Sequence, residues 1–159
     1  MLLDGLNHVA VLTSDTDRLH AFYCQVFGAT VSHDTTEFEG MRFSLVDLGP
    51  FTALNVFEVV GNTEAQRQAP AFERGRIDHL GLQAASLEAF DEIRHRLVAR
   101  GCTDGFVTDF GPVLSLFFRD PDGLEAEVCV ANPDAEPGVY NAPGTPARGY
   151  ERVSRPMTP

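Results

Sequence analysis

Positive charge is scarce in this chain: its 159 residues hold 12 Lys and Arg against 23 Asp and Glu, a formal net charge of −11. Such a chain lacks the basic footprint that a phosphate backbone requires, which argues against non-specific nucleic-acid binding. A small substrate remains open, because a bound divalent ion can reverse the local field. Cysteine is also sparse. Cys24, Cys102 and Cys129 form no C-x-x-C pair and are odd in number, a poor basis for a disulfide framework, so they are expected to be reduced. No apolar run approaches the roughly 20 residues of a membrane span. Met1-Leu2-Leu3-Asp4-Gly5 has neither a basic stretch nor an apolar segment of signal-peptide length, and the cytoplasm is the expected compartment. Nucleophile-elbow, P-loop and dinucleotide-binding fingerprints are all missing.

What the chain does have is one module written twice. His8 lies in Leu6-Asn7-His8-Val9-Ala10-Val11-Leu12, and His79, 71 residues later, in Ile77-Asp78-His79-Leu80-Gly81-Leu82. Each is followed about fifty residues on by a carboxylate, Glu58 in the first case and Glu127 in the second. The first module predicts a strand over about 5–12, a helix and strands near 29–35, 41–48 and 52–60. The helical stripe is Leu19, Phe22, Tyr23, Val26 and Phe27, with Gly28 as its stop. The second module predicts a strand over about 76–83, a helix capped by Ser86 and closed by Gly101, and strands near 104–108, 112–119 and 124–131. Subtracting 71 carries Phe90, Ile93, Leu97 and Val98 onto Leu19, Phe22, Val26 and Phe27, so the helix faces repeat with the histidines. Asp120-Pro121-Asp122-Gly123 is a tight turn.

The expected organisation is a single domain over 1–133, with a polar linker at about 61–75 between modules at about 5–60 and 76–131. Residues 134–159 form a Pro/Gly-rich tail expected to lack regular structure, either mobile or pinned through Tyr140 and Tyr150.

Strand parity puts His8 with Leu6, Ala10 and Leu12, and Glu58 with Leu54 and Val56, so each ionisable group lies on an otherwise apolar face. Glu127 shares a face with Glu125 and Cys129, and His79 with Ile77, Gly81 and Gln83. Two carboxylates beside two imidazoles become reasonable around a cation. The candidate metal ligands are therefore His8, Glu58, His79 and Glu127, with Glu125 not separated from Glu127 by face. Taken singly, a strand histidine reads equally as a hydrogen-bonded structural residue, and Glu58 as a solvated one. His20 and His95 read as solvated helix residues, His33 as a turn or pocket residue, and Ser14 and Ser86 as caps.

These residues resemble the vicinal oxygen chelate superfamily, which includes glyoxalase I, extradiol dioxygenases, fosfomycin-resistance proteins, methylmalonyl-CoA epimerase and bleomycin-resistance proteins. The resemblance covers about 5–131. It is carried by Asn7-His8-Val9-Ala10-Val11, by Phe22-Tyr23 and Phe27-Gly28, by Asp78-His79-Leu80-Gly81-Leu82, and by Asp120-Pro121-Asp122-Gly123-Leu124-Glu125-Ala126-Glu127. It implies an α+β fold of two paired βαβββ modules, a glyoxalase-like curved sheet around a cleft. It implies ligands from the first and fourth strands of each module, and Glu127 rather than Glu125 as the last of them. It further implies a divalent metal ion (Zn, Ni, Co, Mn or Fe), a small-molecule substrate offering vicinal oxygens, and a homodimer.

The full four-residue set resembles glyoxalase I, and implies a lyase or isomerase that stabilises an enediolate or enolate, with Glu127 or Glu58 moving the proton. Where glyoxalase I has an Arg four residues after its first His, this chain has Leu12; Asn62, four residues after Glu58, does match. Extradiol dioxygenases carry a Tyr about ten residues before the last ligand, where this chain has Phe117. The resemblance leaves two further expectations: a non-haem Fe(II) extradiol-type dioxygenase, for which His8, His79 and Glu127 suffice, and a non-catalytic binding or resistance protein of the same fold.

Overall fold

Both helices begin where a short polar side chain can take a free backbone N–H. The Asp15 carboxylate accepts from the N–H of Arg18 at 2.9 Å, and the Ser86 hydroxyl from that of Ala89 at 3.2 Å. In the computed structural model, which describes residues 2, 5–70 and 72–153, these caps open α1 (Thr16–Phe27) and α2 (Leu87–Ala99). Gly28, at φ 69°, ends α1 in the left-handed conformation that only glycine adopts without penalty.

The strands form two four-stranded sheets. The first contains β1 (His8–Leu12), β2 (Thr30–Thr35), β3 (Met41–Asp47) and β4 (Ala53–Val59), in the order β1-β4-β3-β2. The second contains β5 (Leu80–Gln83), β6 (Val107–Asp109), β7 (Val113–Arg119) and β8 (Glu125–Ala131), in the matching order β5-β8-β7-β6. In each, the first strand runs parallel to the fourth and the remaining pairs are antiparallel. The chain is thus two βαβββ modules of α+β class. It divides into two compact units, Met1–Ala69 and Pro70–Pro159.

Each module covers one face of its sheet with its own helix. In the first, Leu19, Phe22, Tyr23 and Val26 of α1 are buried, as are Val46, Leu54 and Val56 of the strands. In the second, Phe90 and Leu97 of α2 are buried with Leu116, Phe118, Ala126, Val128 and Val130. The opposite face of each sheet carries the polar and half-exposed side chains, following the period of two.

The tail is ordered as far as it is described; residues 154–159 of the expected tail, like Met1, Leu3 and Asp4, lie outside the described residues. It pairs with the edge strand β6: Asp109 N–H donates to the Thr145 carbonyl at 2.8 Å, and Ala147 N–H to that of Val107 at 3.0 Å. Pro146, bridged to Thr108, is tolerated because this pairing is at a sheet edge. Of the two tyrosines expected to pin the segment, Tyr150 does so, its hydroxyl donating to Asp91 at 2.7 Å and its ring standing edge-on to Phe90. Tyr140 is exposed.

The Asp120 turn carries a charge effect. Its Oδ1 accepts the N–H groups of Asp122 and Leu124, each at 2.9 Å, which fixes the reversal into β8. Burial nevertheless pushes its carboxyl up from 3.8 to about 6. Because the folded state holds this proton more tightly than the unfolded chain, the group's favourable contribution is complete below the unfolded value. It is lost as pH rises through about 6. Asp120→Asn keeps the acceptor and never ionises. Urea midpoints measured between about pH 4 and 7 are therefore expected to fall with rising pH in the native protein more steeply than in the variant.

Candidate metal centre

In the second module, register brings a histidine and a glutamate together. Gly81 of β5 pairs with Glu127 of β8, and Phe117 of β7 pairs with Glu127 from the other side. His79, one residue before β5, points to the same face, with its Nε2 3.4 Å from Glu127 Oε1. Space for the carboxylate comes from Gly81, where an added Cβ would stand 3.3 Å from that oxygen. The buried hydroxyl of Ser115 donates to Glu127 Oε2. The Phe117 ring stands edge-on to the imidazole at 5.4 Å and shields one side of the pair.

The His79 ring is oriented from behind. Its Nδ1 lies 2.8 Å from Asp78 Oδ2. An ionised carboxylate can only accept, so Nδ1 donates to Asp78, which leaves Nε2, facing Glu127 Oε1, as the ring position open to a metal ion. The Asp78 hydrogen bond raises the His79 pKa above its ordinary 6.5; burial opposes this and the Glu127 charge adds to it. Asp78 itself accepts from Phe72 N–H.

The first module repeats half of this. His8 Nδ1 lies 2.8 Å from Asn7 Oδ1, so an Asx residue just before the histidine sets the tautomer in both modules. His8 borders an open pocket of about 430 Å³ with Leu45, Asp47, Phe51 and Asn55 among its lining.

Glu58 does not join it, which corrects the expectation that all four candidates share one wall. His8 pairs with Ala53 and Ala10 with Asn55, so the face of His8 holds Ala53, Asn55 and Phe57. Glu58 lies on the other face with buried Leu54 and Val56, under α1. There its Oε2 accepts the N–H of Thr16 at 2.8 Å, at the start of the helix. A carboxylate is favoured at that positive end of the dipole and satisfies one of its free N–H groups. The residue equivalent to Glu127 is Asn55, since Ala10 pairs with Asn55 as Gly81 pairs with Glu127. The strand pairings show why: Leu54 and Val56 mark a helix-covered face, and the counterpart of Glu127 two residues beyond the histidine's partner is Asn55, not Glu58. Glu58→Ala should cost about 1 kcal/mol, the usual loss for an unmade helix N-terminal bond, and leave metal uptake unchanged. A urea titration alongside metal analysis checks both.

A family model described as the Glyoxalase/Bleomycin resistance protein/Dioxygenase superfamily matches residues 5–128. The chain belongs to this superfamily. Solved structures share the fold. A glyoxylase/bleomycin resistance protein/dioxygenase domain from Frankia sp. EAN1pec is 20% identical, with a TM-score of 0.70 over 82% of this chain and 99% of that one. A genomically encoded fosfomycin resistance protein from Listeria monocytogenes, solved with Mn(II) and sulfate, is 18% identical, with a TM-score of 0.57 over 82% and 95%. A lactoylglutathione lyase from Agrobacterium tumefaciens is 20% identical, with a TM-score of 0.57 over 82% and 96%. No curated protein matches in sequence.

One of these solved structures holds Mn(II), and the residues present here can be tested for fit to a divalent ion. Among the described residues no three His, Cys, Asp or Glu side chains gather into a metal-holding group. The His79–Glu127 corner nonetheless supplies one imidazole nitrogen and one carboxylate oxygen to the same point, with the tautomer fixed as ligation requires. That donor pair suits a borderline divalent cation.

Other candidates resolve into structure. His20 is not solvated: its Nε2 lies 2.7 Å from the buried Ser44 hydroxyl, and burial lowers its pKa. His33 sits within β2, its ring tilted against that of Phe43, and His95 is exposed on α2. The three cysteines are free thiols. Among the described residues no helix is long and apolar enough to cross a membrane. Sequence reasoning missed Ser115, whose place opposite Cys129 on the Glu127 face depends on the β7–β8 register.

Proposed function

We propose that the protein is a metal-dependent enzyme acting on a small substrate with two vicinal oxygens, by proton transfer of the lyase or isomerase kind. The observation that carries this reading is the His79–Glu127 corner, with Asp78 fixing the tautomer and Ser115 holding the second carboxylate oxygen. His79 and Glu127 would hold the ion. Glu58 is not proposed again as ligand or base, being tied to Thr16. A divalent ion held there supplies Lewis-acid polarisation of the substrate oxygens.

The chain's own groups perform the rest. Glu127 is the one carboxylate beside His79 whose partners are a hydroxyl and an imidazole rather than a fixed cation, so it is the residue proposed to accept the proton. General-base transfer needs such reach, about 2.6–3.2 Å to the proton-bearing atom. Ser115 steers the acceptor oxygen, and Phe117 keeps water from one flank, where electrostatic interactions then weigh more. Elemental analysis of protein purified without chelator tests this. A bound divalent ion is expected, and protein that neither carries nor takes up one would end the reading.

A second reading has its own support. With Glu58 withdrawn, the candidates that remain by residue type are two His and one carboxylate, His8, His79 and Glu127, the donor complement of non-haem Fe(II) oxygenases. Phe117 weighs against it, since a hydrocarbon stands against His79 where extradiol enzymes carry a tyrosine acid. Oxygen uptake by Fe(II)-loaded protein with a catechol panel would decide for this alternative.

A further inference from the structure

Two carboxylates on one face of β8 lie within reach of His79, and register favours the one that is not used. Leu80 pairs with Ala126 and Gly81 with Glu127, so His79, one residue before Leu80, runs beside Glu125. Neighbouring strands are about 4.8 Å apart, which makes Glu125 the direct neighbour and Glu127 the more distant diagonal one. Yet the imidazole meets Glu127.

What takes Glu125 away is Arg74. Its Nη2 lies 2.5 Å from Glu125 Oε2, while its Nη1–H donates to the backbone carbonyl of Asp78 at 3.0 Å. One guanidinium thus ties up the nearer carboxylate and anchors the peptide that carries His79. The pair is well covered, with side-chain exposures of 10% for Arg74 and 22% for Glu125. Meanwhile Gly81 leaves room beside Glu127.

We propose that Arg74 is a positioning residue that decides which carboxylate of β8 serves the metal centre. It withdraws Glu125 into an ion pair, holds the Asp78 carbonyl, and leaves Glu127 as the partner of His79. Without Arg74, Glu125 would lose the guanidinium that holds it away from His79, and a cation beside His79 would compete for it with Arg119, which pairs opposite it on β7. Nothing but arginine's fork would serve both acceptors at once, so lysine is not an equivalent. This inference rests on the reading of His79 and Glu127 as ligands.

The test is Co(II) binding by the full chain, read by visible absorption and by competition for affinity. Loss of Glu127 in E127Q should weaken binding by at least about 100-fold, the upper range seen even for outer-shell losses. E125Q should bind within about twofold of the native protein, as expected for a group outside the coordination sphere. R74Q should bind with an altered absorption spectrum, and R74Q/E125Q should return to the native one. The decisive variant is R74Q/E127Q, which should recover at least about tenfold of what E127Q loses, because Glu125 takes over. Recovery no better than E127Q, or loss of Co(II) in E125Q, overturns the proposal while the ligand reading stands. E125Q keeps Arg74, so its result holds even if the Arg74 variants fold poorly. A native chain that takes up no Co(II) overturns the ligand reading and this inference with it.

Discussion

Protein carrying His79→Ala is expected to retain its fold and bind no divalent ion. The imidazole is half-buried at the mouth of the second module, not in its core, so truncation removes little packing. It removes the nitrogen that faces Glu127 and leaves a single carboxylate held by one hydroxyl. That is too few donors for an ion that prefers four or more. The loss should exceed the roughly 10–100-fold that follows removal of an outer-shell partner, the range expected for Asp78→Asn. Elemental analysis beside the native protein gives the answer. Undiminished metal in the His79 variant would remove the basis of the functional reading. The pH dependence carries a matching signature. A protonated imidazole has no lone pair for a metal, so affinity should fall as acid protonates His79. Because Asp78 raises the His79 pKa above 6.5, that fall should begin at higher pH in the native protein than in Asp78→Asn.

The second large effect is on stability. Phe90→Ala should destabilise the protein by about 3–5 kcal/mol, the range for truncating a buried aromatic ring. Phe90 is 0% exposed, and its ring is also the platform for Tyr150. The substitution therefore opens a cavity under α2 and loosens the segment that pairs with β6. A shift of roughly 2–4 °C in Tm per kcal/mol is usual at this chain length, so thermal unfolding should begin well below that of the native protein. Amide exchange at Asp109 and Ala147, whose N–H groups join tail and strand, should accelerate with it. An unchanged denaturation midpoint would mean that the helix is not seated as described.

Much of the fold was legible because it depends on local rules applied twice. Period-two alternation, the stripes of Leu19 to Phe27 and Phe90 to Val98, the cap Ser86 and the stop at Gly28 all act within a few residues of one another, although the cap of α1 is Asp15 and not the expected Ser14. Repetition at a spacing of 71 then made independent coincidence a poor explanation. The Pro/Gly-rich tail was less legible because irregular backbone can still be satisfied by an edge strand. The bonds from Asp109 and Ala147 depend on β6 being free to receive them.

The candidate centre was legible only in part. His79 and Glu127, two of the four candidates, do approach one another, and each lies close to a recognisable strand start. Glu58 was misplaced because parity within β4 was read without the β1–β4 register that decides which of its faces His8 shares. Three residues separate it from Asn55, the true counterpart of Glu127, and an odd shift moves a strand side chain to the opposite face.

The sequence alone determined the modules, their helix faces and the pairing of each histidine with an Asx residue beside it, since these are properties of short stretches of chain. Only the tertiary structure decided which carboxylate meets His79. That choice depends on strand register, on the room left by Gly81, on the Ser115 hydroxyl across the sheet and on an arginine 51 residues from the glutamate it holds. Groups so far apart along the chain act on one another only through folded distances, which no local pattern records.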